Sequence, residues 1–124
     1  MKRKSEDLSS REILLVDDAQ TVQLYAGAFR QSYRVLTTSS FSDAEQLLLH
    51  QQPELVVVEP SIGGKQGWEW IGGIIQTYAI PMIICSALDE RKMGLVVGVS
   101  AYLIKPVPPA LLSRTIASFL NRAR

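Results

Sequence analysis

Ile13-Leu-Leu-Val-Asp-Asp18 decides how the rest of the chain is read. An apolar run without alternation suits a strand covered on both faces, as in a parallel sheet between helix layers. The run ends abruptly in two carboxylates, so acidic groups stand at the carboxyl end of that strand. Working outward, similar runs rich in Val, Ile and Leu recur at residues 34–36, 55–58, 82–85 and 101–104. Helical spacing fills the intervals. Val22, Ala26 and Phe29 share one face of a helix beginning near Ala19. Ala44, Leu47 and Leu48 form a second stripe, which Pro53 ends. Ser42-Asp-Ala-Glu45 reads as its capping box, with Ser42 as the cap. Residues 67–77 carry Ile71, Ile74 and Ile75, and a last helix from about Pro108 presents Leu112, Ile116, Phe119 and Leu120. Between residues 86 and 101, Gly94, Gly98 and the valines 96, 97 and 99 leave room for only a short fourth helix.

The alternation is β-α five times over. That pattern predicts a doubly wound α/β domain, with five parallel strands, five helices on both faces and right-handed crossovers. Residues 1–11 are polar and read as a flexible N-terminal arm, with one domain over residues 12–124. The length of 124 residues fits one domain. A hydrophobic share of 47% and a charged share of 20% are those of a globular protein. A net charge of +1 argues against a nucleic-acid surface, and no apolar run is long enough to span a membrane or to form a signal peptide. Cys85 stands alone, which excludes an internal disulfide and a cysteine metal cluster. A cytoplasmic protein is the expectation.

In an open parallel sheet, ligands bind beyond the carboxyl ends of the strands at the switch in strand order. Polar groups fall at those ends here: Asp17 and Asp18, Glu59, Ser86, and Lys105-Pro106. In a five-stranded sheet ordered 2-1-3-4-5, strands 1 and 3 are neighbours at the switch point, so Asp17, Asp18 and Glu59 would then converge. Three close carboxylates repel unless a cation neutralises them, and a hard divalent ion, magnesium above all, suits oxygen ligands. Lys105 supplies further positive charge. The expected site is a small acidic pocket open to a phosphate-like group.

Four stretches, in order and at nearly family spacing, carry a resemblance. They are Leu14-Leu-Val-Asp-Asp18, Pro53-Glu-Leu-Val-Val-Val-Glu59 with Gly67 eight residues on, Pro81-Met-Ile-Ile-Cys-Ser-Ala87 and Ala101-Tyr-Leu-Ile-Lys-Pro106. Over residues 12–122 the chain resembles the flavodoxin-like receiver domain of two-component response regulators, which takes a phosphoryl group from a sensor histidine kinase. The resemblance implies magnesium held by Asp17, Asp18, the acceptor position and the backbone carbonyl of Ser61. It implies that Ser86 and Lys105 hold the phosphoryl group and that Lys105-Pro106 is a cis peptide. It also makes Tyr102 a switch residue. A histidine kinase or another signalling protein is the implied partner, with a homodimer as a further one.

Glu59 departs from the pattern, standing where the family carries its phosphoacceptor aspartate. The extra methylene moves the carboxylate by about one bond, and a misplacement of about 1 Å can cost a hundredfold in such a displacement. Glu59 is therefore expected to escape phosphorylation, leaving magnesium binding weak or lost. It either mimics the phosphorylated state in part or forms a plain ion pair with Lys105. The interval from Ser86 to Lys105 is also about three residues short of the family's, which removes part of the fourth helix and of the usual dimer surface. The expected function is a pseudo-receiver acting by protein contact in phosphorelay signalling, not an enzyme. An active magnesium-dependent receiver is the alternative. A nucleotide- or flavin-binding domain is more distant, because the first loop has no glycine-rich turn.

Blander readings stand beside these. Asp17 and Asp18 also suit a helix N-terminus. Tyr102 is also ordinary packing, His50 a solvated cation near a helix C-terminus, and Cys85 a small buried hydrophobe. Trp68 and Trp70 lie two apart on a helix, so one of them is expected to be exposed.

Overall fold

The computed structural model describes residues 11–122. Its elements are β1 (Glu12–Val16), α1 (Ala19–Phe29), β2 (Arg34–Thr38), α2 (Phe41–Gln51), β3 (Leu55–Val58), α3 (Gly67–Thr77), β4 (Met82–Ser86), α4 (Arg91–Val97), β5 (Ala101–Ile104) and α5 (Pro109–Arg122). A 3₁₀ segment, Pro60–Gln66, joins β3 to α3. The five strands are all parallel, as the alternation predicts, and ordered β2-β1-β3-β4-β5, as the resemblance to a flavodoxin-like domain implies.

Successive residues of a strand face opposite sides, so each unbroken apolar run feeds two core layers. Ile13, Leu15, Leu55, Val57, Ile83 and Cys85 pack with the buried stripes of α1 and α5. Leu14, Val16, Val56, Val58, Met82 and Ile84 pack with Ala44 and Leu48 of α2 and with Ile71 and Ile74 of α3. This double coverage holds the central strands rigidly and fixes where their carboxyl ends lie.

Several boundaries differ from the expected ones. β2 runs on to Thr38, because Thr37 and Thr38 pair with Leu15 and Val16 and β-branched threonine suits a strand. The arm expected over residues 1–11 lies outside the described residues except for Arg11, which is buried. Its guanidinium donates to the Leu120 carbonyl at 2.9 Å, and its carbonyl accepts from the Arg34 amide. Arg11 therefore belongs to the folded domain and caps the C-terminal end of α5 with positive charge.

The cap of α2 is Ser40, not Ser42. Ser40 has extended backbone angles, and its Oγ accepts from the Asp43 amide at 3.2 Å. Ser42 lies inside the helix, and Glu45, the other half of the expected box, instead accepts from the Trp70 indole. The Phe41 ring stacks on Trp70 at 4.2 Å, so packing draws the helix start forward. Ser40→Ala should lower stability by about 1 kcal/mol, while Ser42→Ala should stay within about 0.5 kcal/mol of the native protein. Urea unfolding of the two variants checks this; equal losses would restore Ser42 as the cap.

α4 spans Arg91–Val97, the short helix expected there, and it ends on Gly98 at φ 97°. That left-handed conformation favours glycine and terminates the helix.

Candidate functional site

At the carboxyl edge of the sheet, the residues following the strands are held by the same ladder that pairs the strands. The Glu59 amide donates to Val16 O at 2.9 Å, the Asp17 amide to Thr38 O at 3.2 Å and the Lys105 amide to Ser86 O at 2.8 Å. Asp17, Glu59 and Ser86 are all buried there.

Lys105 brings the two carboxylates together. Its Nζ lies 2.8 Å from Asp17 Oδ2 and 3.3 Å from Glu59 Oε1. Asp17 Oδ1 accepts from the Asp18 amide at 2.7 Å, and Glu59 Oε2 from the Ser61 amide at 3.2 Å. Burial raises the Asp17 carboxyl above its ordinary value, against the opposing pull of Lys105. For Lys105 burial is the largest influence and acts downward, but the Asp17 and Glu59 carboxylates together outweigh it and raise the ammonium.

Asp18 stands at the edge of this group, in reach of the Asp17 side chain and of the Lys105 charge. It is exposed and caps α1: Oδ1 accepts from the Thr21 amide and Oδ2 from the Thr21 hydroxyl, both at 2.9 Å. These bonds hold its carboxyl below the usual range, the backbone one most strongly. The helix-cap reading thus describes Asp18, and the pocket reading describes Asp17. Ser86 Oγ accepts from the Leu88 amide at 3.1 Å, which shapes the loop after β4. The Lys105-Pro106 peptide is cis.

Magnesium can be tested against this donor set. Both oxygens of Asp17, of Asp18 and of Glu59 already accept from the chain's own donors. Among the described residues, no three His, Cys, Asp or Glu side chains are grouped so as to hold a metal ion. In this arrangement Lys105 supplies positive charge to Asp17 and Glu59, and each carboxylate oxygen keeps a lone pair beyond the bond it accepts. Lys105 thus pairs with two of the three expected carboxylates, Asp17 and Glu59, while Asp18 caps α1 beside them.

Tyr102 is tied to the loop before α4. Its hydroxyl donates to the Leu88 carbonyl and accepts from the Glu90 amide at 3.0 Å, while its ring stacks on Trp68 at 6.3 Å. The Trp68 indole donates to Glu90 at 3.2 Å. Neither tryptophan is exposed; each is half-buried with its indole N–H on a glutamate, which corrects the expectation for this pair. The role of Glu90 has no local sequence signal, since its partners are 12 and 22 residues away.

A doubly wound sheet ordered 2-1-3-4-5, with carboxylates, a serine and a lysine at one edge, defines the receiver class of signalling domain. The chain belongs to the response regulator receiver domain family, whose sequence profile matches residues 13–117. It is 33% identical over 109 residues to the transcriptional regulatory protein AfsQ1 of Streptomyces coelicolor, covering 86% of this chain and 48% of that protein. The chain thus spans about half the length of that curated relative. Solved structures share the fold. A two-component response regulator from Clostridium difficile superposes with a TM-score of 0.85 at 20% identity, covering 93% of this chain and 99% of that one. The BeF3-activated N-terminal receiver domain of RstA from Klebsiella pneumoniae gives 0.79 at 23% identity, covering 90% and 98%. Receiver domains serve two-component signalling, interact with histidine kinases and other signalling proteins, and typically bind magnesium. Among the described residues no helix is long and apolar enough to cross a membrane.

Proposed function

We propose that this chain is an atypical receiver module that signals by protein contact, with Glu59 at the position of the phosphoacceptor aspartate. The observation that carries the reading is the Asp17–Lys105–Glu59 cluster, in which one lysine pairs with two buried carboxylates. In this reading, the lysine that would pair with a phosphoryl group already pairs with Glu59. The longer side chain partly imitates the phosphorylated state. The imitation is incomplete, because a carboxylate carries one charge while a phosphoryl group carries about −1.5 to −2 and three acceptor oxygens. Ser86 and Lys105 remain as the phosphate pocket. Asp17, Asp18 and the Ser61 carbonyl are the remnants of a metal site whose magnesium affinity is weak or lost, and Tyr102 is the switch position. The partner is a sensor histidine kinase or another signalling protein in the cytoplasm, with a homodimer as a further assembly.

Incubation with magnesium and acetyl phosphate, followed by intact mass, tests this on the native protein and on Glu59→Asp. The expected result is a phosphoryl adduct on the variant alone, its shorter carboxylate restoring the in-line geometry. An adduct on the native protein would overturn the proposal and make the chain a working phosphoacceptor.

A further inference from the structure

α2 and α3 leave an open cleft of about 490 Å³ between them, on the sheet face that carries the Leu14 and Val56 core layer. Glu45 and Leu49 of α2 line it, with Glu69, Trp70 and Ile74 of α3 and Tyr78 just beyond. It shares no residue with the Asp17–Lys105–Glu59 cluster. Its wall is fixed: Trp70 stacks on Phe41 at 4.2 Å and donates its indole N–H to Glu45 at 2.6 Å. Its charge is one-sided, with two carboxylates and no Lys, Arg or His among the lining residues. Glu69 is exposed and has no hydrogen-bond or ion-pair partner among the described residues. Leu49, on the rim, is 58% exposed.

We propose that this cleft docks an arginine-bearing apolar segment of a partner protein. A guanidinium is planar, stacks on an indole and donates to a carboxylate in a fixed fork, which matches Trp70 beside Glu69 and Glu45. Covering Leu49 calls for an apolar group beside the cation, and a free small amine lacks one. A tryptophan already immobilised by its neighbours loses little side-chain freedom on binding, which favours it as an anchor.

The peptide acetyl-Leu-Arg-Leu-Leu-Arg-amide, titrated into isotope-labelled protein and followed by amide NMR shifts, tests the proposal. Its Arg→Gln counterpart and agmatine are run beside it. Shifts should gather on the α2 and α3 residues that line the cleft, and the Gln peptide should not produce them. Glu69→Gln should weaken binding about threefold, the scale of one exposed ion pair. Trp70→Ala should weaken it about thirtyfold, as loss of an aromatic anchor does. Glu69 is exposed, so its variant keeps the test valid even if Trp70→Ala disturbs helix packing. Equal binding of the Gln peptide, agmatine binding as tightly as the peptide, or absence of shifts at the lining residues would each overturn the proposal. So would lining-residue shifts that follow protein concentration alone, since a second copy would then cover the cleft. None of these results bears on the reading of Glu59.

Discussion

Lys105→Met should lower stability by about 2 kcal/mol at neutral pH, and the loss should shrink as the solution is made acid. Removing one partner of a buried ion pair typically costs about 3–5 kcal/mol, because the remaining charge is left uncompensated. Here the remainder is two carboxylates, Asp17 at 7% and Glu59 at 6% exposure. The Lys105 side chain is 22% exposed, so solvent screens part of the pairing and the lower figure applies.

The pH dependence follows from the direction of two shifts. Asp17 is already raised above 3.8 by burial, with Lys105 opposing. Without Lys105 it rises further. A group raised in the folded state contributes most below its unfolded value, and that contribution is lost as pH climbs through the folded value. The variant's deficit is therefore small below about pH 4 and grows toward neutrality. Lys105 itself is raised above 10.5, so its pairing stabilises the native protein until pH passes that raised value, and the gap closes again in strong alkali. Urea unfolding from pH 4 to 10 measures the acid limb and the plateau above it. A deficit that does not vary with pH would dismiss the cluster as a source of stability. Asp17→Asn combined with Lys105→Met should recover part of the loss, since it removes one of the stranded charges.

Gly67→Ala should cost about 3 kcal/mol and lower the melting temperature by about 10 °C or more. Helix propensity alone predicts the opposite sign, since alanine is favoured over glycine by about 1 kcal/mol inside a helix. The close approach at this position reverses it. A Cβ on Gly67 would lie 2.1 Å from the carbonyl oxygen of Pro60 and 3.0 Å from its carbonyl carbon. Both are backbone atoms, so no side chain can swing aside, and α3 or the segment that follows Glu59 must shift. Gly73 is the control: it is exposed in the same helix, and a Cβ there meets nothing within 4 Å. Gly73→Ala should stabilise by about 0.5–1 kcal/mol, so the two alanines should move the melt in opposite directions. A Gly67→Ala protein as stable as the native one would show that the approach of α3 to Pro60 relaxes freely.

Much of this architecture was legible because its signals are repeated along the chain. β3 and β5 match the apolar runs at residues 55–58 and 101–104, and α3 matches residues 67–77. A run of valines or isoleucines without alternation has few ways to bury both faces, and the central strands of a parallel sheet are the main one. The α2 cap is not legible locally, for a physical reason. Ser40 and Ser42 are both competent caps, and the choice between them follows from where Phe41 meets Trp70, 29 residues away. Arg11 reads as the end of a polar arm because its partner, the Leu120 carbonyl, is 109 residues distant.

At the site the division is the same. Strand order and the alternation of strands with helices already place Asp17, Glu59, Ser86 and Lys105 at one edge, since residues after parallel strands emerge together. Which carboxylates pair is another matter. Asp18 turns to Thr21, three residues on, and Asp17 turns to Lys105, 88 residues on, although the two aspartates are chain neighbours with the same chemistry. Adjacent strand-end residues point to opposite sides of the backbone, so one carboxylate is carried inward to the lysine and the other outward to the helix start. Periodicity and residue type act over a few residues and are written in the chain. The partner of a buried charge depends on which distant group the packed core brings within 3 Å, as with Lys105 Nζ at 2.8 Å from Asp17, and only the assembled fold decides that.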